Sequence, residues 1–256
     1  MKEQSAKKKK FRPGRRPGRI AAVAAVLVLL FVVGSGFLAG LPDLSDPQLR
    51  VSSDSVSVEK IGNDLYFLPK ADKKPLGFIF YPGAKVPEGA YSYLARALAE
   101  KGYPAVLLKM PLGFAIFDTK AAARALRQLP ETKAWVVSGH SLGGVAAAMF
   151  ARDNPGIVKG IVFLASYPAG GSSLAQMDLR ALSISASNDM LATAEKIEKA
   201  KPLMPPQTEY QVIQGGNHAQ FGTYGVQKGD GVAEIPASLQ LSAVIESVLA
   251  FLAKVM

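Results

Sequence analysis

Six short apolar runs recur along the middle of the chain: LGFIFY (76–81), PAVLLK (104–109), AWVVSG (134–139), GIVFLAS (160–166), ALSISA (181–186) and YQVIQG (210–215). Stretches with helical spacing lie between them: EGAYSYLARALAEKG, DTKAAARALRQL, SLGGVAAAMFARD and LATAEKIEKAK. In the first of these, Tyr91, Leu94 and Leu98 share one face, and Gly102 provides a natural stop. A final helix near 237–254 places Leu241, Val244, Ile245, Val248 and Leu252 on one face. Near-continuous apolar strands alternating with helices predict a parallel sheet covered on both faces. Ahead of this pattern, SVSVEK (55–60) and LYFLPK (65–70) alternate with period two around the turn IGND, which predicts an antiparallel hairpin. The expectation is an α/β fold with a mostly parallel eight-stranded sheet, occupying residues 55–256.

The chain begins differently. Residues 1–19 carry nine Lys and Arg against Glu3 alone, and Ile20–Leu41 follows with 22 residues and no charge. A bilayer core of roughly 30 Å needs about 20 helical residues. The basic block favours the cytoplasmic side, where it could also meet anionic lipid. The expectation is a basic tail (1–19), an N-terminal transmembrane helix (20–41), a Pro-, Asp- and Ser-rich linker (42–54) and an extracytoplasmic domain. The alternative is a cleaved signal peptide, with Ile20–Val33 as its apolar region and GSG (34–36) near the cleavage site; the domain would then be secreted.

Composition narrows the chemistry. The net charge is +10, but the N-terminal 19 residues account for +8 of it. The remaining 237 residues carry only +2, so no basic nucleic-acid face is expected and no nucleic-acid partner is assigned. With no cysteine and only His140 and His218, disulfides, thiolate catalysis and clustered-ligand metal sites are not expected. No cofactor is expected either, and the oligomeric state is left open.

The chemistry concentrates in GHSLG (139–143), a G-x-S-x-G sequence between an apolar strand and a small-residue helix. A sharp strand-to-helix turn would lift Ser141 to the top of the sheet, and the flanking glycines permit the close approach this requires. There a backbone N–H at the helix N-terminus can hold an oxyanion. A serine needs a base to act as a nucleophile. His140 is the sequence neighbour of Ser141, but on this turn its side chain points elsewhere. His218, in GGNHAQF after the last apolar run, is the candidate base. The orienting acid belongs between the two, after a strand end. Asp189, in SNDML, occupies such a position, with Asp178 as the alternative; Glu195 and Glu198 lie inside the following helix. A second oxyanion donor should come from YPGAKV (81–86), where Gly83 permits a tight turn and the Ala84 N–H could join that of Leu142. Pro82 has no N–H to offer. Lys85 could meet an anionic substrate or simply be solvated. Phe114, Phe117, Tyr167 and Phe221 could line an apolar pocket or belong to the core.

Together FYPGAKV, ARALAEKGYPAVLLKMP, GHSLGG, SASND and GGNHAQFGTYG make the chain from about residue 55 onward resemble the α/β-hydrolase superfamily. It is most similar to the small lidless branch that includes dienelactone-hydrolase-like and carboxylesterase-like proteins. The resemblance implies a Ser141–His218–Asp189 triad with Ala84 and Leu142 forming the oxyanion hole, acting on a small-molecule ester or related acyl substrate. Pro82-Gly83 stands where that superfamily often has His-Gly, and the cysteine nucleophile of dienelactone hydrolases is absent. Only 167–180 separate two predicted strands at the usual place for a lid, so no cap domain is expected, and an open pocket suits small or externally presented esters. Competing expectations are an acyltransferase or peptidase using the same three residues, and an exported non-catalytic binding or scaffold domain on the same fold.

Overall fold

A computed structural model describes residues 40–255. Eight strands form one sheet: β1 (Val56–Ile61), β2 (Asp64–Pro69), β3 (Leu76–Tyr81), β4 (Ala105–Leu107), β5 (Ala134–His140), β6 (Val158–Leu164), β7 (Arg180–Ala186) and β8 (Gln207–Ile213). Their order is β1-β2-β4-β3-β5-β6-β7-β8. β1 and β2 form the expected antiparallel hairpin, and β2 also runs antiparallel to β4. Every other pairing is parallel. Among the described residues five α-helices accompany the sheet: α1 (Ser92–Glu100), α2 (Ala122–Gln128), α3 (Leu142–Asp153), α4 (Ala194–Ala200) and α5 (Ala237–Val255).

The parallel strands are apolar throughout because both faces are covered. Phe78, Phe80, Val136, Val162, Leu182 and Ile184 point to one side, where α1 supplies Leu94 and Leu98 and α5 supplies Val244, Val248, Phe251 and Leu252. Ile79, Tyr81, Val137, Ile161 and Phe163 point to the other, where α2 and α3 supply Ala122, Ala125, Ala146, Ala147 and Phe150. Each large side chain taken out of water contributes roughly 1.5–3 kcal/mol, so both layers are needed to hold the sheet. α5 is the one described helix long and apolar enough to cross a membrane. Its buried residues face the sheet and α1, which makes it a core helix. Leu241 and Ile245, expected on its buried face, are only half-buried, whereas Phe251 is buried in full.

Element ends depart from the pattern where side chains intervene. The run 104–109 gives a strand of only three residues, because the Asp64 carboxylate takes the Lys109 N–H at 2.8 Å and ends the ladder. β8 forms an edge, so Tyr210 and Val212 stand exposed despite the apolar look of their run. Residues 165–179 connect β6 to β7 with one short 3-10 turn and no inserted domain.

The transmembrane or signal-sequence expectation for residues 20–41, and the basic tail before it, fall almost wholly outside the described residues. Residues 40–54, expected to end the apolar segment and to form a linker, lie against the domain. Leu41 N–H donates to Lys85 O at 2.9 Å, and Leu44 N–H donates to Thr223 O at 2.8 Å. Asp43 pairs with Arg50 at 2.7 Å, and Leu41 and Leu49 pack on the core. The polar composition that suggests a linker instead serves turns: Asp46 caps the 3-10 helix Pro47–Arg50 through the Gln48 N–H.

Candidate active site

Ser141 occupies the junction of β5 and α3 with φ 51° and ψ −123°. A non-glycine residue held with positive φ costs of order 1–3 kcal/mol and persists only where its surroundings fix it. Here the end of β6 does so. Ser141 N–H donates to Leu164 O at 3.0 Å, and Ser166 Oγ donates to Ser141 O at 2.5 Å. The neighbouring glycines are steric requirements. A Cβ on Gly139 would overlap the backbone of Gly143 and Gly144. One on Gly143 would overlap the carbonyls of Tyr81 and Pro82. The first turn of α3 therefore presses against both its own strand and the turn that follows β3.

His218 lies in the loop after β8 and is almost fully buried. Its Nδ1 is 2.8 Å from Asp189 Oδ2. The other carboxylate oxygen, Oδ1, accepts the N–H groups of Leu191 at 2.8 Å and Ala192 at 2.7 Å. Asp189 is thus held by its own loop with one oxygen aimed at the imidazole. With Nδ1 donating to that oxygen, Nε2 carries the lone pair. Nε2 is buried and has no hydrogen-bond partner among the described residues, and Ser141 Oγ is not hydrogen-bonded to it. Such contacts commonly tighten only when substrate binds.

The alternative acid is elsewhere. Asp178 is exposed at the amino end of β7, where it accepts from Gln207 Nε2 at 3.2 Å. Glu195 and Glu198 pair with Lys199 and Lys201, each at 2.6 Å, on the surface.

The two expected oxyanion donors flank the elbow. Leu142 opens α3, so its N–H is one of the four that an α-helix leaves without an internal acceptor. In the turn after β3 the Gly83 N–H donates to Tyr91 Oη at 3.1 Å, the Lys85 N–H to Gly113 O and the Val86 N–H to Gly83 O. The Ala84 N–H has no acceptor among the described residues. Lys85 sends its ammonium over the Phe114 ring, 4.9 Å from the centroid. Phe221 is core, Tyr167 is half-buried and Phe117 is exposed.

His140 is not idle. Its Nδ1 lies 2.9 Å from Tyr91 Oη, the same oxygen that accepts Gly83 N–H, and its ring packs against that of His218 with centroids 4.5 Å apart and planes tilted by 44°. Burial, and then the neighbouring His218, hold its pKa well below the usual imidazole range, so it is neutral at physiological pH. The Tyr91 hydroxyl already receives one N–H and can donate its proton to Nδ1. This relay ties the turn after β3 to the ring packed against His218.

Sequence reasoning passed over Asp230, whose carboxylate accepts the N–H groups of His218 at 3.3 Å, Ala219 at 2.8 Å and Gly231 at 2.8 Å. It also accepts the Met190 N–H at 3.4 Å, so one side chain joins the loops that carry Asp189 and His218. The Asp-Gly pair in QKGDGV signals a turn, but nothing local shows what that turn holds. Tyr91 and Ser166 were missed for the same reason: their partners are 49 and 25 residues away.

A family model described as "Alpha/beta hydrolase family" matches residues 77–242. No curated protein matches the chain. Among solved structures, an alpha-beta serine hydrolase homologue from Coxiella burnetii aligns with TM-score 0.54 and 17% identity, over 77% of this chain and 98% of that one. Est1E from Butyrivibrio proteoclasticus aligns with TM-score 0.56 and 14% identity, over 78% and 100%. A thermophilic esterase from Thermogutta terrifontis aligns with TM-score 0.58 and 12% identity, over 78% and 93%. At these identities the likeness is one of fold.

Proposed function

The chain belongs to the alpha/beta hydrolase family, and from that premise we propose that it is a serine hydrolase of carboxylesterase type, with Ser141 as nucleophile, His218 as base and Asp189 as the acid that orients it. The observation that carries the reading is the hydrogen bond from the buried His218 Nδ1 to Asp189 Oδ2, with Nε2 buried and without a partner among the described residues.

Ser141 Oγ attacks the acyl carbon of an ester while its proton passes to His218 Nε2. The resulting oxyanion is held by the N–H groups of Leu142 and Ala84, which need no reorganisation because backbone fixes them. His218 then gives its proton to the alkoxide as the acyl C–O bond breaks, and the alcohol leaves. Water, deprotonated by the same nitrogen, attacks the acyl-enzyme, and the bond from the acyl carbon to Ser141 Oγ breaks as Nε2 returns the proton to Oγ, which releases the acid. Asp189 keeps the proton on Nδ1 and stabilises the imidazolium throughout. A small-molecule acyl substrate follows from this chemistry.

Within the segment 20–41, residues 20–39 are proposed to anchor the chain as a single membrane span, with residues 1–19 cytoplasmic and the hydrolase domain outside. Support comes from the uncharged length of the segment and the nine basic residues ahead of it. Labelling with a fluorophosphonate probe, followed by peptide mapping, tests the chemistry. The probe should attach to Ser141 in the intact chain and fail to attach in His218→Ala. Full esterase activity in Ser141→Ala would refute the assignment.

A further inference from the structure

We propose that the carboxyl edge of the sheet, where Ser141 and His218 stand, lies directly on the bilayer and draws its substrate from it, so that the substrate class is acyl esters resident in the membrane. The proposal rests on the serine-hydrolase and anchor readings above. It starts from the way residues 40–44 are fixed.

The uncharged segment has no slack at its end. Leu41, its last residue, is tied through its N–H to Lys85 O, one residue past Ala84. Leu44 is tied to Thr223 O, five residues past His218. Lys85 in turn donates its N–H to Gly113 O at 2.7 Å. The chain therefore enters the domain among the turn after β3, the loop after β4 and the loop after β8, which surround the reacting groups. Residues 20–39 supply 20 uncharged residues, about 30 Å of helix. If they span, the next residues are already tied to the turn after β3 and the loop after β8, with no spacer between membrane and domain.

Exposed apolar side chains point the same way. Among the described residues ten large apolar side chains are exposed. Six of them (Leu44, Leu112, Phe117, Met190, Val226 and Val232) lie in this entering segment or in loops following the carboxyl ends of strands. Val226 is 94% exposed and Leu112 is 78% exposed. At the opposite edge, residues 70–75, 101–104, 129–133 and 154–157 hold none of the ten, and Val51, just ahead of the amino end of β1, is the one that lies there. Scattered apolar residues on a soluble surface mean little, but their concentration in the loops of one edge marks a surface that meets an apolar phase. On the same edge Lys228 is exposed and suits an anionic headgroup, whereas the Lys109 ammonium is paired with Glu88 at 2.9 Å.

The chain has no cysteine, so single-cysteine reporters are clean. The full chain is reconstituted in vesicles of phosphatidylethanolamine and phosphatidylglycerol, with an environment-sensitive dye on Leu112→Cys, Val226→Cys or Lys101→Cys. Lys101 is exposed at the opposite edge. Lipid-borne nitroxide should quench the dye at positions 112 and 226 and spare it at 101. Quenching at none of the three, or equally at all, overturns the orientation whether or not the protein is active.

The substrate half is read with methylumbelliferyl oleate in the bilayer and methylumbelliferyl acetate in solution. A flexible Gly-Ser insert of about 15 residues between Gly40 and Leu41 lengthens the tether by roughly 20 Å and leaves the Leu41 contact in place. Oleate turnover should fall about tenfold or more as the effective concentration drops, with acetate turnover unchanged. Unchanged oleate turnover in the insert variant, or acetate turnover without any oleate turnover in the wild type, overturns the lipid-substrate inference. Failure of acetate turnover together with failure of Ser141 labelling strikes instead at the serine-hydrolase reading.

Discussion

Asp189→Asn separates orientation from support. In the folded chain Asp189 makes two kinds of contact: Oδ1 accepts two backbone N–H groups of its own loop, and Oδ2 accepts from His218 Nδ1. Asparagine is nearly isosteric. Its carbonyl oxygen can keep the Leu191 and Ala192 N–H groups, so the loop should hold. Its amide then presents a donor to Nδ1, and the imidazole must answer with a lone pair there. The proton moves to Nε2, and the nitrogen that should accept from Ser141 can no longer do so. A wrong-tautomer base of this kind costs about 10⁴ in kcat, or about 5.4 kcal/mol at 1.36 kcal/mol per decade. Asp189→Ala behaves differently. It orphans two partly buried N–H groups at about 1–3 kcal/mol each, and in a domain of this size each kcal/mol lowers Tm by about 2–4 °C. Steady-state hydrolysis of a soluble nitrophenyl ester and thermal unfolding, run on both variants, give the answer. Asn should be almost inactive with nearly unchanged Tm, and Ala inactive with a Tm lowered by about 5 °C or more. An Asn variant retaining a tenth or more of wild-type kcat would refute the assigned role of Asp189.

Four further outcomes follow from other contacts. Asp230→Ala frees the His218 and Asp189 loops from each other, and a displacement near 1 Å can cost about 10² in rate; kcat should drop by one to two decades while the chain remains folded by circular dichroism. Tyr91→Phe strands the Gly83 N–H and His140 Nδ1, which should cost about 1–3 kcal/mol in denaturant unfolding and lower kcat with KM little changed. Ser166→Ala removes the hydroxyl from the Ser141 carbonyl, and about 1 kcal/mol of stability should go with a several-fold loss of kcat. His140, kept neutral by burial, gives stability a pH dependence: its pKa in the folded chain is depressed below the unfolded value near 6.5. The unfolded chain then binds the extra proton, so stability is full above that value and declines as pH falls below it, by up to about 1.4 kcal/mol per pH unit. Guanidinium unfolding between pH 5 and pH 8 should show this slope, and His140→Gln should reduce it.

The sequence by itself determined the alternation of strands and helices, because a strand buried on both faces must be apolar at every position, and 76–81 and 134–139 could be little else. It also located Ser141, since only glycines at 139 and 143 allow a helix to start so close to its own strand. Asp189 and His218 were reachable because chain order limits where an acid and a base can follow. Only the tertiary structure separates Asp189, the preferred acid, from Asp178, its alternative: both follow apolar runs in the sequence, but Asp189 meets His218 after the carboxyl end of β7 and Asp178 lies at its amino end. It alone set the His140 ring against that of His218, gave Asp230 two loops to hold, and tied residues 40–44 to the turn after β3 and the loop after β8. Each of these depends on hydrogen bonds between residues far apart in the chain. Local composition carries no record of such partners, because a carboxylate or hydroxyl in a turn reads the same whether it caps that turn or clamps another loop.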